Sequence, residues 1–178
     1  MENKKYYVAY GSNLHIGQMT FRCPTAKVVG ATALENRRLL FRGGRGSAVA
    51  TVEPNDGGSV PVLIWEIQPK DEEALDRYEG YPFLYRKEYV DITLDGEPIE
   101  AMIYIMNVND GRPEEKDAIP KEYRKYNQHF HKNQYRPLNQ SAARYYTTIL
   151  DGYKAAGFDV DILRKATEVS FEVGDMPK

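Results

Sequence analysis

Only one cysteine, Cys23, stands among the 178 residues, so no disulfide can form within the chain. The opening Met1-Glu2-Asn3-Lys4-Lys5 runs into Tyr6-Tyr7-Val8 without an apolar signal segment, and the two features together predict a reducing, cytoplasmic setting. No run approaches the ~18 apolar residues that a spanning helix needs, so no membrane partner is expected. Net charge is also scarce. A formal charge of −2 leaves no global footprint for nucleic acid, and the local basic residues Lys121, Arg124, Lys125, Lys132 and Arg136 read as a solvated face. Several catalytic signatures are missing as well. Gly43-Gly44-Arg45-Gly46 lacks the Lys-Ser/Thr ending of a phosphate loop and the third glycine of a dinucleotide fingerprint, and reads as a hairpin. Ser12 is not in a Gly-x-Ser-x-Gly elbow, and Cys23 beside Pro24 has no nucleophile signature. His129 and His131 come without a cysteine or carboxylate motif, so neither a metal nor a cofactor is predicted.

What the chain does have is tyrosine, 14 residues of it, each putting apolar area and a hydroxyl in one place. Tyrosine-lined clefts suit small polar ligands, and packed sheets use the same residue. The length suffices for one well-buried core and falls short of two large domains. Tyr6–Tyr10 reads as a first strand, followed by a short helix over His15–Met19 with Ser12 or Asn13 as its N-cap. Further strands are predicted at Ala26–Ala33, Arg38–Phe41, Ala48–Glu53 and Val60–Ile67, separated by Glu35-Asn36, Gly43 to Gly46 and Pro54 to Gly58. Val60 to Trp65 is apolar on both alternating faces, which suits a strand buried inside a sheet, with Pro61 near its start.

Pro69 opens a helix whose first-turn acids Asp71, Glu72 and Glu73 complement the dipole, whose apolar face is Ala74, Leu75 and Tyr78, and which Gly80 ends. Tyr85–Leu94 and Ile99–Met106 form a hairpin about Asp95-Gly96. Helices are predicted over Ser141–Ala156, stopping at Gly157, and over Val160–Glu168, capped by Asp159. Seven strands with few helices do not alternate as a doubly wound sheet. The fold class is α+β: a small, curled mixed or antiparallel β-barrel flanked by helices.

Two places carry chemistry. In Gly11-Ser12-Asn13-Leu14, glycine permits close backbone approach, and a helix start aims free N–H groups at one point, where an anion or developing oxyanion would be stabilised. An ordinary capped turn is the plainer reading of the same residues. Glu79 lies at the last turn of its helix, where the negative dipole end raises a carboxyl pKa toward the range a neutral-pH acid/base needs. A simple surface glutamate is the plainer reading there.

Tyr10-Gly11-Ser12-Asn13-Leu14 and Leu75-Asp76-x-x-Glu79-Gly80, in this order and separation, resemble the signatures of the γ-glutamylcyclotransferase-like (AIG2-like) superfamily. Arg22-Cys23-Pro24, Ala50-Thr51-Val52, Tyr81-Pro82-x-x-Tyr85 and Ala101-x-x-Tyr104 support the resemblance, which covers roughly residues 6–106. It implies one domain over 1–178, with 107–178 a helical extension packing on the barrel, and a cavity at one barrel end. Glu79 is then the catalytic acid/base, and the Gly11 to Leu14 amides hold the glutamyl end of a small-molecule γ-glutamyl substrate. Tyr10, Tyr85 and Tyr104 are implied as cavity walls or hydrogen-bonding groups. The implied reaction releases an amine and closes 5-oxoproline. A catalytically silent ligand- or partner-binding module on the same fold is the alternative, and a hydrolase using the same Glu79 is a third reading. Neither the leaving amine nor the oligomeric state is set by the residues, a homodimer being one of the states they permit.

Overall fold

The computed structural model describes residues 4–44, 46–108, 138 and 140–174. The basic residues between Lys121 and Arg136, with His129 and His131, lie outside the described residues. Five strands form one mixed sheet accompanied by four helices among the described residues, the α+β class that the sequence predicts. Its middle strand is β1 (Lys5–Ala9). β1 pairs antiparallel with β3 (Val49–Ile67), from Lys5↔Ile67 to Ala9↔Leu63, and parallel with β5 (Glu97–Met106) at Tyr7↔Met102 and Val8↔Ile103. β2 (Lys27–Arg42) and β4 (Tyr85–Leu94) complete the order β2-β3-β1-β5-β4. Val8 and Ala9 are fully buried. A strand bonded on both edges and buried on its faces gives the residues that follow it, Tyr10 onward, a fixed starting point.

The sheet does not close into the expected barrel. Among the described residues, the edge strands β2 and β4 share no hydrogen-bonded ladder. They meet through side chains instead: a Cβ on Gly30 of β2 would stand 2.4 Å from Leu94 Cδ1 of β4. An apolar side chain fills the seam that a ladder would need. The seven expected strands are five, because Ala26–Ala33 and Arg38–Phe41 run together in β2, and Ala48–Glu53 and Val60–Ile67 in β3. Glu35-Asn36 and Pro54 to Gly58 stand opposite each other in that pair, where the register jumps from Glu35↔Ser59 to Arg37↔Pro54. Asn36 takes φ 56°, and its Oδ1 accepts the Gly57 N–H at 3.0 Å. Turn residues at matching positions of two paired strands make a shared bulge and leave both strands continuous. Pro61 consequently lies well inside β3, opposite Ala33.

Ser12–Leu14 is a single 3₁₀ turn, and α1 (Ile16–Arg22) begins after it, with His15 Nδ1 accepting the Gln18 N–H at 3.2 Å. Neither Ser12 nor Asn13 caps the helix, because both side chains are buried and bonded elsewhere. α2 (Pro69–Glu79) opens at Pro69 and ends at Gly80, φ 63°, as predicted. Two of its first-turn acids have partners beyond the dipole. Asp71, 1% exposed, accepts from the Gln68 N–H and from Thr25 Oγ1, while Glu72 pairs with Lys5 and Lys87. Of the expected apolar face, Leu75 is fully buried, whereas Tyr78 is 42% exposed. Asp95-Gly96 makes the predicted turn between β4 and β5.

α3 (Ala143–Ala156) ends at Gly157 as expected, and α4 (Val160–Gly174) runs past Glu168. α4 lies against β2, where the Phe41 N–H donates to Ser170 Oγ at 3.0 Å. α3 presses on the 3₁₀ turn, and Gly152 permits it: a Cβ there would stand 2.7 Å from Leu14 Cβ and 2.9 Å from the Leu14 carbonyl carbon. Backbone cannot yield as a flexible side chain would. Gly152→Ala should therefore destabilise the protein by about 1–3 kcal/mol, the range for overpacking, even though alanine is the better helix former by roughly 1 kcal/mol. Thermal denaturation checks this, and an unchanged or raised Tm would show that the contact is slack.

Candidate active site

The chain leaving β1 and the last turn of α2 meet around one cavity of about 210 Å³. Among the described residues six tyrosines line it, Tyr7, Tyr10, Tyr78, Tyr85, Tyr104 and Tyr145, and Glu79 is the one carboxylate. Tyr10, Gly11, Ser12, Asn13, Glu79, Tyr85 and Tyr104, all singled out in the sequence, come together here. Leu14 does not. Its side chain is fully buried beside Gly152, and its N–H donates to Gly11 O at 3.0 Å, while the His15 N–H is taken by Ser12 O. The amides of Gly11, Ser12 and Asn13 donate to no protein acceptor among the described residues. A Cβ at Gly11 would touch Ala50 Cβ at 3.4 Å and Tyr145 Oη at 3.5 Å, so glycine keeps this backbone open to the cavity.

Glu79 is half-buried as a residue, but its carboxyl is enclosed. Burial raises its pKa from 4.5 to about 7, with the Arg22 charge and the Asn13 hydrogen bond pulling the other way. The rise is thus caused by desolvation, where the sequence suggests a helix-end effect. Asn13 Nδ2 donates to Glu79 Oε1 at 3.0 Å and to Tyr7 Oη at 2.8 Å. Oε2 has no hydrogen-bond partner among the described residues. A carboxyl near half-ionised at neutral pH, with one oxygen held and one open, can both take and return a proton.

The tyrosines are largely committed to the protein. Tyr10 donates to Tyr104 O at 2.7 Å, Tyr85 to Ala50 O at 2.5 Å, and Tyr104 to Asp76 Oδ1 at 2.6 Å. Burial pushes all three phenols well up, so each stays protonated and fixed as a wall. Tyr145 Oη accepts the Ala50 N–H at 3.1 Å, and Tyr78 Oη meets Ser12 Oγ at 2.7 Å.

A family model described as Gamma-glutamyl cyclotransferase, AIG2-like, matches residues 7–128. The chain belongs to that family. Among solved structures, a gamma-glutamyl cyclotransferase matches over 99% of this chain and 92% of its own, at 20% identity and TM-score 0.66. The uncharacterized human protein loc79017 matches over 99% and 93%, at 21% identity and TM-score 0.66. YkqA from Bacillus subtilis matches over 99% of this chain and 56% of its own, at 17% identity and TM-score 0.65. At such identities the likeness shows a shared fold. No curated protein sequence matches the chain.

The family motifs lead to part of the cavity only. Tyr7, Tyr78 and Tyr145 also line it, and Arg22 stands behind it with Cζ 3.3 Å from the Tyr78 ring centroid. The high tyrosine count is the one sequence signal that could have pointed to them. Cys23, which sits beside Arg22, is buried, and burial pushes its thiol up to about 11, so it stays an un-ionised thiol at neutral pH. No helix among the described residues is long and apolar enough to cross a membrane.

Proposed function

We propose that the protein is a γ-glutamylcyclotransferase-type enzyme, converting a γ-glutamyl-amine or γ-glutamyl-amino acid to 5-oxoproline and a free amine. The observation that carries this reading is Glu79, an enclosed carboxyl with a pKa near 7 and one oxygen unbonded among the described residues, beside Gly11–Asn13 amides that likewise donate to none of them. Such a substrate brings its own nucleophile. Glu79 takes a proton from the α-ammonium, and the freed nitrogen attacks the γ-carbonyl carbon. The carbonyl electrons move onto oxygen, where donors from the Gly11–Asn13 backbone stabilise the tetrahedral oxyanion. Collapse restores the carbonyl and breaks the bond to the departing amine, which receives the proton held by Glu79, while the second proton of the ring nitrogen passes through the freed Glu79 carboxylate to the amine, which leaves as the ammonium. Ring closure needs no water. Folding the substrate into the attacking geometry can contribute about 7–11 kcal/mol in ideal cases, and the fixed tyrosine walls provide the rigid enclosure for it.

The test is a turnover screen of γ-glutamyl-amino acids and γ-glutamyl-amines, with mass-spectrometric detection of products. Release of 5-oxoproline with an equal amount of amine is expected. Glutamate as the first product would replace this reading with hydrolysis by the same Glu79, and binding without turnover across the panel would favour a silent binding module.

A further inference from the structure

Arg22 closes α1, and its Nη1 donates to Asn13 Oδ1. Its guanidinium is stationed over the Tyr78 ring, and Tyr78 Oη is tied to Ser12 Oγ. A guanidinium offers donors alone, so the Asn13 amide must turn its oxygen toward Arg22 and its NH₂ away. That NH₂ gives one hydrogen to Glu79 Oε1 and the other to Tyr7 Oη. Reversing the amide would set NH₂ against guanidinium and oxygen against carboxylate, two repulsive contacts in an enclosed place.

We propose that Arg22 and Asn13 are positioning residues: Arg22, seated on Tyr78, fixes the Asn13 amide, which holds Glu79 by Oε1 and leaves Oε2 for the substrate. This deepens the cyclotransferase reading and rests on it for the role of Glu79. Asn13, expected from the sequence to act through its backbone, thus has a second task in its side chain. Among the described residues, Arg22 is the charged group that acts on Glu79. The other titratable groups acting on Glu79 are Tyr7, Tyr10, Tyr85, Tyr104 and Tyr145, phenols that burial keeps neutral. Arg22 and the Asn13 NH₂ therefore both favour the carboxylate against the desolvation that favours the acid.

Carbon-13 NMR titration of the Glu79 carboxyl in the substrate-free protein, alongside pH-dependent kinetics, tests this. In Arg22→Met the titration midpoint should rise by roughly one unit, the low end for loss of a nearby opposite charge. The acid limb of kcat/KM should move with it. kcat at pH 7 should fall about 10- to 100-fold, the scale of a small misplacement, with KM little changed because the Gly11–Asn13 amides remain. Arg22→Lys, which keeps the charge, should bring the midpoint back toward the parent. A folded Arg22→Met protein with the parental midpoint would overturn the proposal, since a merely structural arginine would change Tm alone. If that variant fails to fold, the parent decides: the Asn13 NH₂ resonances should shift with the Glu79 midpoint, and resonances that ignore it would overturn the proposal. Neither titration needs turnover, so an inactive parent would count against the cyclotransferase reading and leave the positioning result standing.

Discussion

Acetylating the α-amine of a γ-glutamyl substrate should stop turnover entirely, even where the blocked compound still binds. The acyl group delocalises the nitrogen lone pair and removes the ammonium proton that Glu79 would accept, so both the nucleophile and the first proton transfer are lost. In the proposed reaction the Glu79 carboxyl would carry the proton and the Gly11–Asn13 amides would stabilise the oxyanion, so the attacking atom has to come from the substrate. Run in ¹⁸O-labelled water, the unblocked substrate should give 5-oxoproline without label, because the ring closes through nitrogen and keeps the substrate's carbonyl oxygen. Turnover of the blocked compound, or glutamate bearing one solvent oxygen, would show that water attacks.

Glu79→Gln should lower turnover by roughly 10² to 10⁴, the range for a lost general acid/base, while making the protein more stable above neutral pH. Folding raises the Glu79 pKa from 4.5 to about 7, so the folded state holds this proton more tightly than the unfolded state. The stability that the protonated form provides is complete below about 4.5, is lost as pH rises toward 7, and is absent above it. The amide carries no such penalty. Its advantage above pH 7 is at most about 3 kcal/mol, reduced by the attraction to Arg22 that it forfeits. In the parent, kcat/KM should climb with pH up to about 7, where the carboxylate becomes the major form. Denaturation of both proteins at pH 4.5 and 8, with kinetics at each pH, checks the pair of effects. Near-parental activity would remove the acid/base role, and a variant that unfolds would make Glu79 structural.

Much of the fold was legible along the chain because the forces that set it are local. Pro69 and Gly80 bound α2, Asp95-Gly96 turns the last hairpin, and Gly157 ends α3, each through the backbone angles that those residues allow. The Gly11–Asn13 segment and Glu79 were legible too, since each belongs to a short contiguous motif. Contacts between distant segments were not. The strand breaks expected at Glu35-Asn36 and Pro54 to Gly58 became one bulge because β2 and β3 align them, and the barrel stayed open because Leu94 occupies the seam beside Gly30. Leu14 left the expected cradle when its N–H turned back to Gly11 and α3 covered its side chain. Tyr145 reaches the cavity from 95 residues beyond Ala50, and Asn13 meets Glu79 across 66. The sequence by itself determined the family motifs, the helix limits and the carboxylate. Only the tertiary structure decided how Glu79 is tuned, because desolvation depends on what encloses a group, and here the enclosure is assembled from four strands, two helices and the 3₁₀ turn that follows β1.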